Sequence, residues 1–254
     1  MHRRTFLHAA AAVPAWGLQG EPDAPEYRIV SRYRPAARPG MPGPWPGRVV
    51  SLSSERAIDA QSERVSPDVV RAMMAEGMRA LTGDADARDS WARLFQPSDV
   101  VGIKVNCSGA PGIMSTPEVV AEIVRNLNAV GVPPGNIWIY ERFRNQMDAV
   151  GYDRFTPPGV HIEAAEDRRG ALLRYDPLTY VEVNFFGEED TRSNLIRLVS
   201  ERFTKIINVP NMKDHGASGV TGCLKNIAYG DFSNVARSHR DAKTHTRTFI
   251  GTLA

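Results

Sequence analysis

The feature that most constrains this chain is the run Asp99–Cys107, DVVGIKVNC. Its apolar positions are nearly continuous. That pattern belongs to a parallel strand covered on both faces, since a half-exposed strand would alternate. A glycine-bearing loop follows, and Thr116-Pro117-Glu118 then opens a helix with a cap, a proline at its first position and an acid that suits the dipole. Val119, Val120, Ile123, Val124 and Leu127 form the apolar face of that helix, and Gly131 ends it. Asn136–Glu141, NIWIYE, is the second strand. Strand, helix and strand make one βαβ unit, which requires a parallel sheet and a right-handed crossover. The expected fold is therefore three-layer α/β, with a mostly parallel sheet and helices on both faces.

Other elements fit around this unit. Ser66-Pro67-Asp68 opens an earlier helix whose apolar face runs from Val69 to Leu81 and which Gly83 closes. Arg48–Ser53 reads as a first strand and His161–Ala164 as a short one. Leu172–Tyr175 and Thr179–Phe186, joined across Asp176-Pro177, read as an inserted β-hairpin. Asn194–Arg202 reads as a short helix leading into a strand at Lys205–Val209. A loop at Pro210–Ser218 and a helix at Gly219–Tyr229 follow. Thr248–Ala254 reads as a helix or strand cut short at the C-terminus.

The N-terminal part is different in character. Residues 1–20 contain Arg3-Arg4, then Thr5-Phe6-Leu7, then a mildly apolar alanine run, which is the pattern of a twin-arginine export signal. The apolar run is too short to span a bilayer stably. Residues 21–47 are proline-rich and read as an extended linker. Residues 48–254 are then expected to form a single α/β domain. The expected destination is periplasmic or otherwise extracytoplasmic, reached through the twin-arginine export machinery. Such export carries folded proteins, often with a cofactor installed.

Composition excludes some classes. A net charge of +2 with acids and bases interspersed argues against nucleic acid as a partner. Two cysteines, Cys107 and Cys223, rule out a four-cysteine iron–sulfur cluster held by this chain alone. They remain open to pairing, to burial as free thiols or to a role as ligands.

The chemistry concentrates in Ile206–Gly230, IINVPNMKDHGASGVTGCLKNIAYG. A strand that ends in a polar, glycine-bearing loop and enters a helix is where α/β proteins place ligands. Lys104, Lys213 and Lys225 share a local pattern: each sits in or beside an apolar run, and Asn or His follows within two residues. A lysine in a buried strand needs a carboxylate or an anionic ligand. Glu141, Asp214 and Asp231 are the candidate carboxylates. The expected site binds a small phosphate- or carboxylate-bearing anion at the carboxyl edge of the sheet, and snorkelling surface lysines are the plain alternative. His215 is the acid/base candidate, with Lys213 and Lys104 beside it as catalytic groups. Asn106, Thr221, Lys225 and Asn226 would orient the ligand. A divalent metal bridging the anion would take Glu141 and Asp214 as oxygen ligands. His239 and His245 could join His215 and Cys223 around a metal, although their spacing matches no zinc signature.

The KVN strand end, the Thr-Pro helix start and, above all, NVPNMKDHGASGVTGCLKNIAYG resemble the domain of unknown function 362 family from about Val100 to the C-terminus. The resemblance implies that Lys104, Asn106, Lys213, His215, Lys225 and Asn226 form a shared site. It brings no activity with it. It also implies twin-arginine export, which many members use. Some members carry ferredoxin-type cysteine clusters, and this chain has no such cluster. Members usually continue past the point where this sequence stops. The leading expectation is an exported enzyme acting on a small anion. A ligand or cofactor carrier without turnover is the alternative, and replacing His215 by Ala separates the two. A redox protein of the cell envelope, working through Cys107 and Cys223, is a third reading.

Overall fold

The computed structural model describes residues 25–34, 37, 43–166, 175–185, 187, 189–239 and 245–254. The proposed signal at 1–20, part of the proline-rich segment and residues 172–174 of the expected hairpin lie outside the described residues.

The chain folds around a four-stranded parallel sheet in the order β4-β3-β2-β7. These strands are β2 (Val101–Val105), β3 (Ile137–Phe143), β4 (His161–Glu166) and β7 (Lys205–Val209). Ile103 stands opposite Ile139 on one side and Ile207 on the other. Every residue of β2 is buried, as its unbroken apolar run requires. Successive side chains of a strand point to opposite faces. Val101, Ile103 and Val105 accordingly enter one cluster with Val120, Val124 and Leu127 of helix α3 (Pro117–Ala129). Trp91 and Met74, from helices α2 (Ala87–Ala92) and α1 (Pro67–Thr82), pack on the same cluster. Met147 of helix α4 (Arg144–Val150) completes that layer.

Gly102 and Lys104 face the other way. A Cβ on Gly102 would lie 2.5 Å from the Phe203 ring, so glycine there lets the ring lie flat on the strand. Tyr140, Ala165, Tyr175, Ile196 and Leu198 form the core of this second face. An antiparallel sheet contributes to the second side, made of β1 (Arg28–Val30), β5 (Tyr175–Glu182) and β6 (Arg192–Ile196) in the order β1-β5-β6. Helices α5 (Cys223–Asp231) and α6 (Thr246–Leu253) are there too, with Ala228, Phe249 and Leu253 buried against Val181 and Val183.

The two helices opened by proline form as expected. Gly83 caps α1 in the left-handed region at φ 84°, and its N–H donates to Arg79. Ser66 and Thr116 hold the N-cap positions without side-chain caps, whereas Asp86 caps α2 by accepting from the Arg88 N–H.

Four expectations are corrected. Arg48–Ser53 is not a strand: Val49 is 87% exposed, and no strand among the described residues pairs with the segment. Asp176-Pro177 does not reverse the chain. Asp176 accepts from the Leu178 N–H, so the pair makes an irregularity inside one strand that runs through it. The hairpin is instead β5–β6, whose antiparallel pairing sets Glu182 opposite Arg192. Most of Asn194–Arg202 is not an α-helix. Its first part lies in β6, and Leu198–Arg202 forms a single π-helical turn. The loop at Pro210–Ser218 contains β8 (Lys213–His215), which pairs with β9 (Gly219–Thr221), so α5 begins at Cys223 rather than Gly219. In addition, the proline-rich segment supplies β1, an edge strand paired with β5.

This layout makes a crevice. The helix after β2 packs on one face of the sheet, and the helix after the neighbouring β7 packs on the other. Open α/β sheets bind ligands at the carboxyl ends of strands where the connections part in this way.

Candidate functional site

Lys104 is the most buried cation at that edge, with no solvent exposure. Its Nζ donates to the carbonyl of Val105 at 2.6 Å, to Glu141 Oε1 at 3.0 Å and to Asn226 Oδ1 at 3.4 Å. An ammonium has three hydrogens, and all three are used. Glu141 is equally committed. Oε1 also accepts from the Arg142 N–H at 2.7 Å, and Oε2 accepts from the Cys107 N–H at 3.3 Å. A buried pair of this kind persists only when its remaining polar atoms are satisfied.

Asn226 ties β2 to α5. Its Oδ1 also accepts from Asn106 Nδ2 at 3.3 Å, and its Nδ2 donates to Asn208 Oδ1 at 2.7 Å. Asn208 reaches on to the carbonyl of Cys223 at 2.8 Å. Gly230 lies one helical turn after Asn226 and leaves the space that Lys104 occupies; a Cβ there would stand 2.0 Å from Lys104 Cε.

Above this floor is a cavity of about 300 Å³. Asn106, Arg142, Asn211, Lys225, Tyr229 and His239 are among the residues lining it. Lys225 and Tyr229 are four residues apart on α5 and share a face. The Lys225 ammonium stands 5.0 Å from the centre of the Tyr229 ring. Half-burial, with Lys213 nearby, brings the Lys225 pKa down to about 8. Lys213 and Lys225 make no ion pair among the described residues, whereas Arg142 is paired with Glu166 at 2.8 Å. The amide Nδ2 of Asn211 is buried and has no hydrogen-bond partner among the described residues.

The β8–β9 hairpin brings up the other half of the expected site. Lys213 Nζ donates to Ser108 Oγ at 2.9 Å, and Ser108 lines the cavity. Thr221 is a hairpin staple: its hydroxyl accepts from the Lys213 N–H at 3.2 Å and reaches the carbonyls of Asn211 and Lys213. His215 lies against His239, with ring centres 5.1 Å apart. His215 Nδ1 accepts from the N–H groups of Ala217 and Ser218 at 3.2 and 3.3 Å. In the neutral ring this fixes the proton on Nε2. Burial lowers the His215 pKa, helped by the charges of Lys225 and Lys213. Burial, with Lys225 and His215 adding to it, takes His239 to about 4. Both imidazoles are therefore neutral at pH 7.

The structure unites Lys104, Asn106, Lys225, Asn226 and Thr221 around the cavity and sets Lys213 and His215 beside it. Asp214 is left out. Alternation along β8 points it away from Lys213 and His215, and it is exposed. Of the three candidate carboxylates, Glu141 is the partner of Lys104. Glu141 and Asp214 are not brought together as a pair: Glu141 is bonded to Lys104 and to two backbone N–H groups, and Asp214 is exposed on the other face of β8. No group of three or more His, Cys, Asp or Glu able to hold a metal is present among the described residues. Cys107 and Cys223 are free thiols, one buried and one exposed, so the redox reading has no disulfide to act through.

Arg142 and Tyr229 were not among the expected cavity groups. Arg142 could have been found, because it follows Glu141 at a strand end. His239, expected only as a metal ligand beside His215, does lie against His215, and its place also depends on packing against Tyr229, with ring centres 4.3 Å apart. Asp231 has a different role from the one its type suggested. It is buried behind Gly230, accepts from the Tyr140 hydroxyl at 3.2 Å through Oδ2, and leaves Oδ1 without a hydrogen-bond partner among the described residues. Burial raises its pKa to about 7, against the pull of Lys104.

Comparison with known proteins places the chain in one family. The family described as domain of unknown function (DUF362) matches residues 101–254, more than half of the sequence, and the chain belongs to it. No curated protein and no solved structure matches the chain.

Proposed function

We propose that this DUF362-family chain is an exported enzyme acting on a small phosphate- or carboxylate-bearing molecule in the cavity at the carboxyl edge of its parallel sheet. One observation carries the reading. Lys225 lines the cavity and Lys213 stands beside it on the lining residue Ser108, neither with a carboxylate partner among the described residues, while Lys104 and Arg142 are both paired. A bound anion supplies the missing counter-charge. The unpartnered amide of Asn211 offers one more donor to it.

Each residue then has a role. Lys225 and Lys213 meet the anion. Lys104 acts through others: its three hydrogens hold Glu141, Asn226 and the end of β2, and so fix the cavity floor. Asn106 and Asn226 continue that floor, and Thr221 fixes the hairpin that carries Lys213. His215, neutral and with its Nδ1 taken by two backbone N–H groups, offers its Nε2–H as a hydrogen-bond donor to charge developing on the substrate. A divalent cation bridging the anion would need Glu141 or Asp214 to move first, so direct contact between lysine and anion is the simpler arrangement.

The Arg3-Arg4 leader supports twin-arginine export to an extracytoplasmic destination. No helix among the described residues is long and apolar enough to cross a membrane. Fractionating cells that express the full chain, or its Arg3→Lys/Arg4→Lys variant, tests the route; equal distribution of the two would refute it.

The anion site is tested by titrating orthophosphate and small carboxylates into the purified chain by calorimetry. Binding is expected, with a loss of about tenfold or more in Lys225→Gln, the scale of one charge-assisted contact. Unchanged affinity in both Lys225→Gln and Lys213→Gln would overturn the reading.

A further inference from the structure

Lys225 is poorly placed to serve only as a cation. Its amine sits half-buried over an aromatic ring, at the first turn of a helix and close to Lys213. A helix N-terminus and a second cation both disfavour a further positive charge. Two neutral imidazoles, His215 and His239, are the other titratable neighbours that influence it or that it influences. No carboxylate pairs with it among the described residues. A lysine desolvated in a pocket beside another cation is the arrangement that makes an amine a nucleophile.

We propose that Lys225 attacks carbonyl carbon, and that the substrate of this site is an aldehyde or ketone bearing a carboxylate or phosphate group. This rests on the anion reading of the same cavity. The neutral amine gives its lone pair to the carbonyl carbon, so that a C–N bond forms and the C–O π bond opens. The oxygen takes a proton and becomes the hydroxyl of a carbinolamine. That hydroxyl then leaves as water while nitrogen and carbon form an iminium. Overall, ammonium and carbonyl give iminium and water, with charge and protons balanced and no oxidant or reductant involved. The proton shed by the ammonium is the one the departing oxygen needs, and His239, which lines the cavity with Lys225, is the group placed to carry it. Lys213 and the Asn211 amide remain to hold the anionic end.

The amine fraction supports this chemistry. With a pKa of about 8 in place of 10.5, the neutral form at pH 7 is about 300-fold more abundant than for an ordinary lysine.

Pyridoxal 5′-phosphate is a suitable probe, since it joins an aldehyde to a phosphate. The full chain is incubated with it at neutral pH, the imine absorbance is followed, and borohydride reduction with peptide mapping locates the adduct. The expected result is about one equivalent on Lys225, competed by orthophosphate and lost in Lys225→Arg. The rate should rise with pH and level off above about pH 8, following the free amine. The peptide map of the unaltered chain decides the matter even if a variant folds poorly. Label spread over exposed lysines, with orthophosphate still bound, would overturn the nucleophile and leave the anion site standing. Label on Lys225 that orthophosphate does not displace would keep the nucleophile and remove the anion site. Neither labelling nor phosphate binding would remove both.

Discussion

Replacing Asp231 by Asn should make the protein more stable at high pH and change it little at low pH. Asp231 is 1% exposed, and only its Oδ2 is hydrogen-bonded, to the Tyr140 hydroxyl. The charged groups that influence it are Lys104 on β2 and Glu141 on β3. Burial outweighs the attraction of Lys104, and the pKa stands near 7 instead of 3.8. The native state thus keeps a proton that the unfolded chain has lost. Stability from this group is fully present below about pH 4 and is lost as pH rises through about 7, because the folded pKa is raised. A gap of about three pKa units corresponds to about 4 kcal/mol in all, of which about 2–3 kcal/mol falls between pH 5 and pH 8. The amide introduced by Asp231→Asn would keep the shape and the Tyr140 hydrogen bond and carry no charge. Urea denaturation of both proteins at pH 5 and pH 8 gives the comparison. The stability difference should move by about 2–3 kcal/mol in favour of the variant at the higher pH. A difference that does not change with pH would refute the reasoning, because Asp231 would then ionise as freely in the fold as out of it.

The other expectations concern the same layer. Lys104→Met should cost about 3–5 kcal/mol in urea denaturation, because Glu141 is left charged and buried; adding Glu141→Gln should recover part of that loss, and an additive double variant would show that the pair is not coupled. Gly230→Ala should destabilise by about 1–3 kcal/mol or more, since its Cβ would fall 2.0 Å from a Lys104 side chain with no room to move. That cost should shrink in a Lys104→Ala background, and a cost of equal size there would place its origin elsewhere. Cys223 is exposed, while burial pushes the Cys107 thiol up to about 12. A thiol reagent should therefore titrate one cysteine in the native protein and two in denaturant, and two fast thiols in the native state would contradict the burial of Cys107.

The central fold was legible because β2, α3 and β3 each carry a complete local signal. An unbroken apolar run, a proline-opened amphipathic helix and a second run need no distant partner to be recognised. The errors fall where the outcome depended on a partner. Arg48–Ser53 has the alternation of a strand, but no strand among the described residues pairs with it. Asp176-Pro177 carries a turn signal, but β6 pairs with Tyr175 before it and with Tyr180–Glu182 after it, which holds the strand together through it. The hairpin of β8 and β9 was hidden because its strands have three residues each, too few to show a period.

The three lysines show the same limit at the level of chemistry. In sequence they share one pattern, and in the fold they have three different surroundings. The Lys104 nitrogen meets an acid 37 positions away and an amide 122 positions away, which consume its hydrogens and make it a structural cation. Lys213 rides a hairpin and reaches a serine 105 positions back. Lys225 meets a ring one helical turn away and, among the described residues, no acid. Their common pattern places all three at the carboxyl edge of the sheet, because each follows an apolar run or opens the helix after one. Their chemistry is set by partners brought in across the chain. An amine with every hydrogen engaged cannot take a ligand without breaking a buried ion pair. An amine with none engaged, next to a second cation, loses its proton readily. By that argument Lys225, not the better buried Lys104, is where reactivity at this edge resides.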